Sequence, residues 1–148
     1  MERKDFRATV NAPKEKVWQV LWNDETYPKW TAPFGEGSRA ETDWKEGSKV
    51  LFLGAEGEGM VSRIAKNRPN EFMSIEHLGF LKDGVEDTTS DKVKEWKGAM
   101  ENYTLKDDGG KTELIVEMDI AEQYLEYFVK TWPLAMGKVK ELSENSSQ

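Results

Sequence analysis

A half-buried strand that runs straight into a proline-initiated, tryptophan-rich helical segment is the feature that most narrows the folds open to this chain. Phe6, Ala8 and Val10 alternate with Arg7 and Thr9 up to Asn11, the period-two pattern of a strand with one wet face. Pro13 follows where a helix begins, since the first turn does not need its missing amide hydrogen. Val17, Trp18, Leu21 and Trp22 recur at helical spacing and give that helix an apolar face. A second short helix is expected between Asn23 and Phe34, with Asp24 as its cap and Pro28 and Pro33 as its bounds.

From Ser38 to Ile120 the periodicity changes to that of strands, around Ala40 to Trp44, Val50 to Leu53, Met60 to Ala65 and Phe72 to Leu81. Turn chemistry separates them: Lys45-Glu46-Gly47, the run Gly54 to Gly59, and Asn67-Arg68-Pro69-Asn70. The acidic, Thr- and Ser-rich stretch Lys82 to Lys94 is expected to be a mobile loop. Trp96 to Leu105 and Thr112 to Ile120 flank Lys106-Asp107-Asp108-Gly109-Gly110-Lys111, a hairpin signal. In the last of these strands Leu114, Val116, Met118 and Ile120 alternate with polar residues, except for Ile115.

The C-terminal stretch sets Tyr124, Leu125, Phe128, Trp132, Ala135, Met136, Val139 and Leu142 at helical intervals, which predicts a long amphipathic helix. Pro133 lies inside it and removes one backbone hydrogen bond, so a kink or break is expected near Lys130 to Trp132. Residues 1–142 are expected to form one domain, because no linker or repeat divides them, and 143–148 a disordered polar tail.

Net charge excludes some partners. With 28 acidic and 21 basic side chains the chain carries −7, which opposes capture by nucleic acid or anionic membrane surfaces. No apolar run approaches the roughly 20 residues that span a bilayer, and the polar start Met1-Glu2-Arg3-Lys4-Asp5 has no signal-peptide core, so stable membrane insertion is not expected and a cytoplasmic location is. There is no cysteine and one histidine, so neither a metal site nor a cofactor is expected. The glycines of Gly54 to Gly59 alternate with acidic residues and precede a strand, which suits a hairpin turn and not a phosphate loop.

Pro13 to Trp18 with Leu21, Asp24 and Glu25, Trp30 with Pro33, Gly47, Gly59 with Val61, Pro69, Gly110 with Thr112, and the final helix with Trp132 together resemble the START and Bet v 1-like superfamily. Within it they are most similar to the branch named for the activator of Hsp90 ATPase, over about residues 5 to 142. The resemblance implies an α+β helix-grip fold, in which a curved antiparallel sheet of about six or seven strands wraps a long C-terminal helix and two short helices follow strand 1. It also implies an apolar cavity between sheet and helix that holds a small hydrophobic molecule. Trp22, where that pattern commonly has a small hydroxyl residue, and Pro133 are departures expected to narrow the cavity.

Strand and helix phase select Val61, Ile75, Tyr103, Val116, Met118, Tyr124, Phe128 and Trp132 as cavity-lining candidates, each of them a core residue if the space is filled. His77 shares a strand face with Met73 and Ile75, and Glu101 shares one with Tyr103 and Leu105, so these two are the polar candidates. The leading expectation is a binding protein for a lipid- or polyketide-like molecule. One alternative is a chaperone-associated or stress-related interaction protein of the Hsp90-activator-like branch, whose namesake has a further N-terminal domain not found in these 148 residues. The other is a cyclase- or hydrolase-type enzyme working through His77, Tyr103 or Glu101, which would need a positioned proton-transfer group. No residue is assigned a catalytic role on sequence grounds.

Overall fold

The computed structural model describes residues 1–145. The strand β1 (Glu2–Val10) leads into helices α1 (Lys14–Trp22) and α2 (Tyr27–Trp30). Strands β2 (Arg39–Glu41), β3 (Lys49–Leu53), β4 (Gly59–Arg68), β5 (Phe72–Lys82) and β6 (Val85–Asp87) follow, then the one-turn helix α3 (Asp91–Lys94), β7 (Met100–Asp108) and β8 (Lys111–Ile120). A 3₁₀ turn at Glu122–Tyr124 opens into the long helix α4 (Leu125–Asn145).

All strand pairs are antiparallel and form one eight-stranded sheet in the order β1-β8-β7-β5-β4-β3-β2, with β6 paired to the far end of β5. The sheet thus has one strand more than the upper expectation, because part of the stretch expected to be a mobile loop is ordered. Val85–Asp87 pairs with Phe80–Lys82, and Ser90 caps α3 by accepting from the Val93 amide. Gly79 permits this pairing, since a Cβ there would lie 2.0 Å from the Asp87 carbonyl oxygen. The β7–β8 hairpin closes through Gly109 and Gly110, both at positive φ, as a two-residue turn compatible with strand twist demands.

Two local expectations are corrected. Asp24 does not cap the second helix: Thr26 occupies that position, and its hydroxyl donates to the Val20 carbonyl 2.7 Å away. Nor does Pro133 break α4, which runs unbroken through it. The carbonyl freed by Pro133 is that of Val129, and Val129 is 47% exposed, so water can take the place of the lost amide. The helix also continues past Leu142, with Ser143 buried and Glu144 accepting from the Asn11 amide at 2.9 Å. Those contacts draw 143–145 of the expected disordered tail into the fold, and the rest of that tail lies outside the described residues.

The concave face of the sheet and the inner faces of α1 and α4 share one apolar cluster. Val10, Val17, Leu21, Ile64, Leu114 and Val139 are fully buried in it. Trp132 ties the layers together: it stacks on Phe6 of β1 at 5.7 Å and meets Trp30 of α2 at 5.9 Å and Tyr103 of β7 at 6.1 Å. Aromatic pairs of this kind add to the stability given by area alone. No helix among the described residues is long and apolar enough to cross a membrane.

Candidate functional site

Core packing does not fill the whole grip. A cavity of about 460 Å³ remains between the sheet and the start of α4, with ring after ring along its wall. Helix α2 and the turn after it supply Tyr27, Trp30 and Phe34, and the sheet supplies Phe52, Phe80 and Tyr103. Tyr124 and Tyr127, each nearly half exposed, form part of the rim with Phe128 beside them.

Four polar side chains form a relay at this wall. Ser62 Oγ lies 2.7 Å from His77 Nδ1, and His77 Nε2 lies 3.0 Å from Glu101 Oε1. The other carboxylate oxygen, Glu101 Oε2, accepts a short hydrogen bond from the Tyr103 hydroxyl. The last pair follows from two-residue spacing on one strand, which puts both side chains on one face. The first follows from strand register: Ser62 pairs with His77, and a bulge in β5 skips Leu78, so His77 stays in phase with Phe80.

Ser62 is fully buried and does not reach the cavity, whereas His77, Glu101 and Tyr103 line it. Ser62 therefore orients the imidazole from behind and is not presented as a nucleophile. Burial, reinforced by the negative field and hydrogen bond of Glu101, pushes the Tyr103 hydroxyl pKa well above its usual value. Burial and the same carboxylate also raise Tyr27. Both phenols consequently remain protonated donors at neutral pH.

Asp119, the other acidic residue of the wall, is already committed. Its Oδ1 accepts from Arg3 at 2.8 Å and its Oδ2 from the Met100 amide at 2.9 Å. Burial alone would raise its pKa, but the Arg3 and Met100 hydrogen bonds outweigh that and lower it. Among the described residues no cluster of three or more His, Cys, Asp or Glu side chains has the arrangement to hold a metal.

Of the ten residues selected by phase, the structure brings His77, Glu101, Tyr103, Met118, Tyr124, Phe128 and Trp132 to the cavity. Ile75 and Val116 face the same side but are enclosed in the core at 0% exposure. Val61 lies on the other face, because Met60 and Ser62 on either side of it point inward. Tyr27, Phe34, Phe52 and Trp96 are wall residues that phase within one element does not reveal, since they arrive from separate loops and strands. Trp22 is not on the wall: its ring packs at 4.8 Å against Tyr103 and at 4.9 Å against Trp44, filling the space beneath.

A curved antiparallel sheet gripping a long C-terminal helix defines a helix-grip protein. The family model for Activator of Hsp90 ATPase homolog 1-like protein matches residues 11–144, and the chain belongs to that family. Solved structures share the fold at low identity. A Mesorhizobium loti protein superposes with a TM-score of 0.75 at 14% identity, over 99% of this chain and 100% of its own. The Aha1 dimer from Colwellia psychrerythraea gives a TM-score of 0.72 at 17% identity, with full coverage of both chains. A putative protein of the dynemicin biosynthetic locus gives 0.72 at 15% identity, over 99% of this chain and 48% of its own. Comparison with curated proteins returns no match.

Proposed function

We propose that this protein binds one small hydrophobic molecule of lipid- or polyketide-like character in the cavity between the sheet and α4. The observation that carries this reading is the cavity itself: about 460 Å³, apolar and aromatic over most of its wall, with His77, Glu101 and Tyr103 converging at one place. Small-molecule sites commonly measure roughly 300 to 1,000 Å³ and pair an apolar lining with a few polar groups that orient the ligand. A structural neighbour from a biosynthetic locus is in keeping with small-molecule handling. In this reading the protein works as a single cytoplasmic domain, without nucleic acid or membrane as partner.

Native mass spectrometry of the gently purified protein, followed by denaturing extraction, tests it. A stoichiometric apolar adduct is expected, and Ala121→Trp, which places a ring into the cavity from its wall, should abolish retention while leaving the fold intact. A clean apo mass that persists after incubation with lipids, sterols and flavonoids would overturn the reading.

A second reading rests on α4 outside the cavity, where Val129 and Leu134 are exposed. Together with the family description it supports a protein partner such as a chaperone. Titration against an Hsp90-type chaperone, read by loss of NMR intensity confined to those residues, would support it.

A further inference from the structure

The cavity wall has an unbalanced charge. It includes carboxylates from Glu101 and Asp119 and the imidazole of His77, but no lysine or arginine. Asp119 spends its charge outward on Arg3, so Glu101 is the carboxylate left facing the cavity. One of its hydrogen-bond partners is His77, whose other nitrogen is held by Ser62.

Each oxygen of Glu101 accepts one hydrogen bond, from His77 on one side and from Tyr103 on the other. A carboxylate offers about four lone-pair sites, so acceptor capacity is left over. The nearby rings have the same polarity, because aromatic faces carry negative electrostatic potential that attracts cations. Phe52 packs at 6.2 Å against His77, and Tyr103 meets Trp30 at 6.4 Å, so ring surface surrounds the relay.

On this basis, and resting on the binding reading above, we propose that the cavity selects apolar molecules bearing a protonated amine. The ammonium group donates to Glu101 and lies against the surrounding ring faces, while the apolar body fills the space toward Phe128 and Tyr124. A carboxylate-headed lipid of equal size is rejected, since the wall gives it no cationic partner and sets Glu101 against it.

The test uses four biphenyl probes that differ in one group: 4-phenylbenzylamine, 4-phenylphenol, 4-phenylbenzoate and neutral 4-methylbiphenyl, titrated calorimetrically into the full chain at pH 7. The ammonium probe should bind on the order of 100-fold more tightly than the carboxylate, with the phenol between them. Glu101→Gln, which keeps the shape and removes the charge, should bring that ratio to within about threefold. A wild-type ratio below tenfold, or one that survives in Glu101→Gln, overturns the proposal. If 4-methylbiphenyl binds as well as the amine, the head-group preference fails while the cavity reading stands; if no probe binds, both fail. Should Glu101→Gln not fold, nuclear Overhauser contacts in the wild type decide. Contacts from the amine-bearing methylene to Glu101 and Tyr103 support the proposal, and contacts confined to the rim residues Tyr124 and Tyr127 overturn it.

Discussion

His77 Nε2 lies 3.0 Å from Glu101 Oε1, joining neighbouring strands β5 and β7 across the cavity wall. The bond has a definite orientation because Ser62, fully buried on β4, holds the opposite nitrogen at 2.7 Å. Three strands thus build one line of four polar groups, Ser62 from β4, His77 from β5, and Glu101 and Tyr103 from β7. In a wall that is mostly apolar, a half-satisfied version of this line would cost more than an apolar replacement.

Ser62→Ala removes the hydroxyl and strands His77 Nδ1 in a buried setting. The expected loss is about 1 to 3 kcal/mol of unfolding free energy, the usual penalty for an orphaned polar group. Urea titration reads this directly, and the histidine ring resonances should broaden or double as the imidazole loses its fixed orientation. Unchanged stability and a single sharp set of resonances would show that Ser62 does not hold the ring.

Tyr103 carries the alkaline prediction. Burial and Glu101 raise its pKa in the folded state, so folding retains a proton that the unfolded chain releases near pH 10. The stability this contributes is fully present below about pH 10 and is lost as pH rises toward the folded-state value. Tyr27 is raised for the same reasons and acts in the same direction. The unfolding free energy should fall above pH 10 by up to about 1.4 kcal/mol per pH unit for each tyrosine. Tyr103→Phe should give a shallower alkaline limb in a series of melting temperatures between pH 9 and 12.

Fold and site were legible to different degrees, and the reason is the range of the signals. Strand alternation and the α4 stripe are local, so the helix-grip architecture can be read from residues a few positions apart. The pairing of Glu101 with Tyr103 is local too. Ser62 and His77 are 15 residues apart and meet only through a register that includes the bulge at Leu78, which no periodicity announces. Strand phase selects Val61 as an inward residue, but Met60 and Ser62 take the inner face; Val61 is nonetheless only 2% exposed, so both faces of β4 are covered there and an apolar residue does not tell one face from the other. Ile75 and Val116 have the inward phase, but whether such a residue touches a void or a neighbour depends on side chains from α1 and α4.

Gly59 opens β4 opposite Leu53, and a Cβ there would sit 1.8 Å from the Phe52 carbonyl oxygen. Gly59→Ala must therefore push β3 away from β4 at the point where Phe52 and Met60 meet the cavity. A loss of about 1 to 3 kcal/mol is expected from the forced backbone shift. Amide exchange should accelerate along Lys49–Leu53 and not along β8, where the sheet is untouched. Uniform exchange rates across both strands would contradict this account.

Trp132 offers the strongest single test of how the cavity is bounded. It is 2% exposed, faces the void on one side and, on the other, stacks on Phe6, while its indole nitrogen donates to Met118 Sδ at 2.9 Å. Trp132→Ala removes this partition, and large-to-small changes of aromatic core residues cost about 3 to 5 kcal/mol because the surroundings relax only in part. The space released lies next to the cavity, so the loss should be partly recovered by a ligand too bulky for the wild type. A polycyclic probe that leaves the wild-type melting temperature unchanged should raise that of Trp132→Ala, since a molecule that binds only the folded state stabilises it in proportion to ligand concentration over Kd. If instead the variant is destabilised and no larger probe rescues it, the void has collapsed and Trp132 is a packing residue of the core alone.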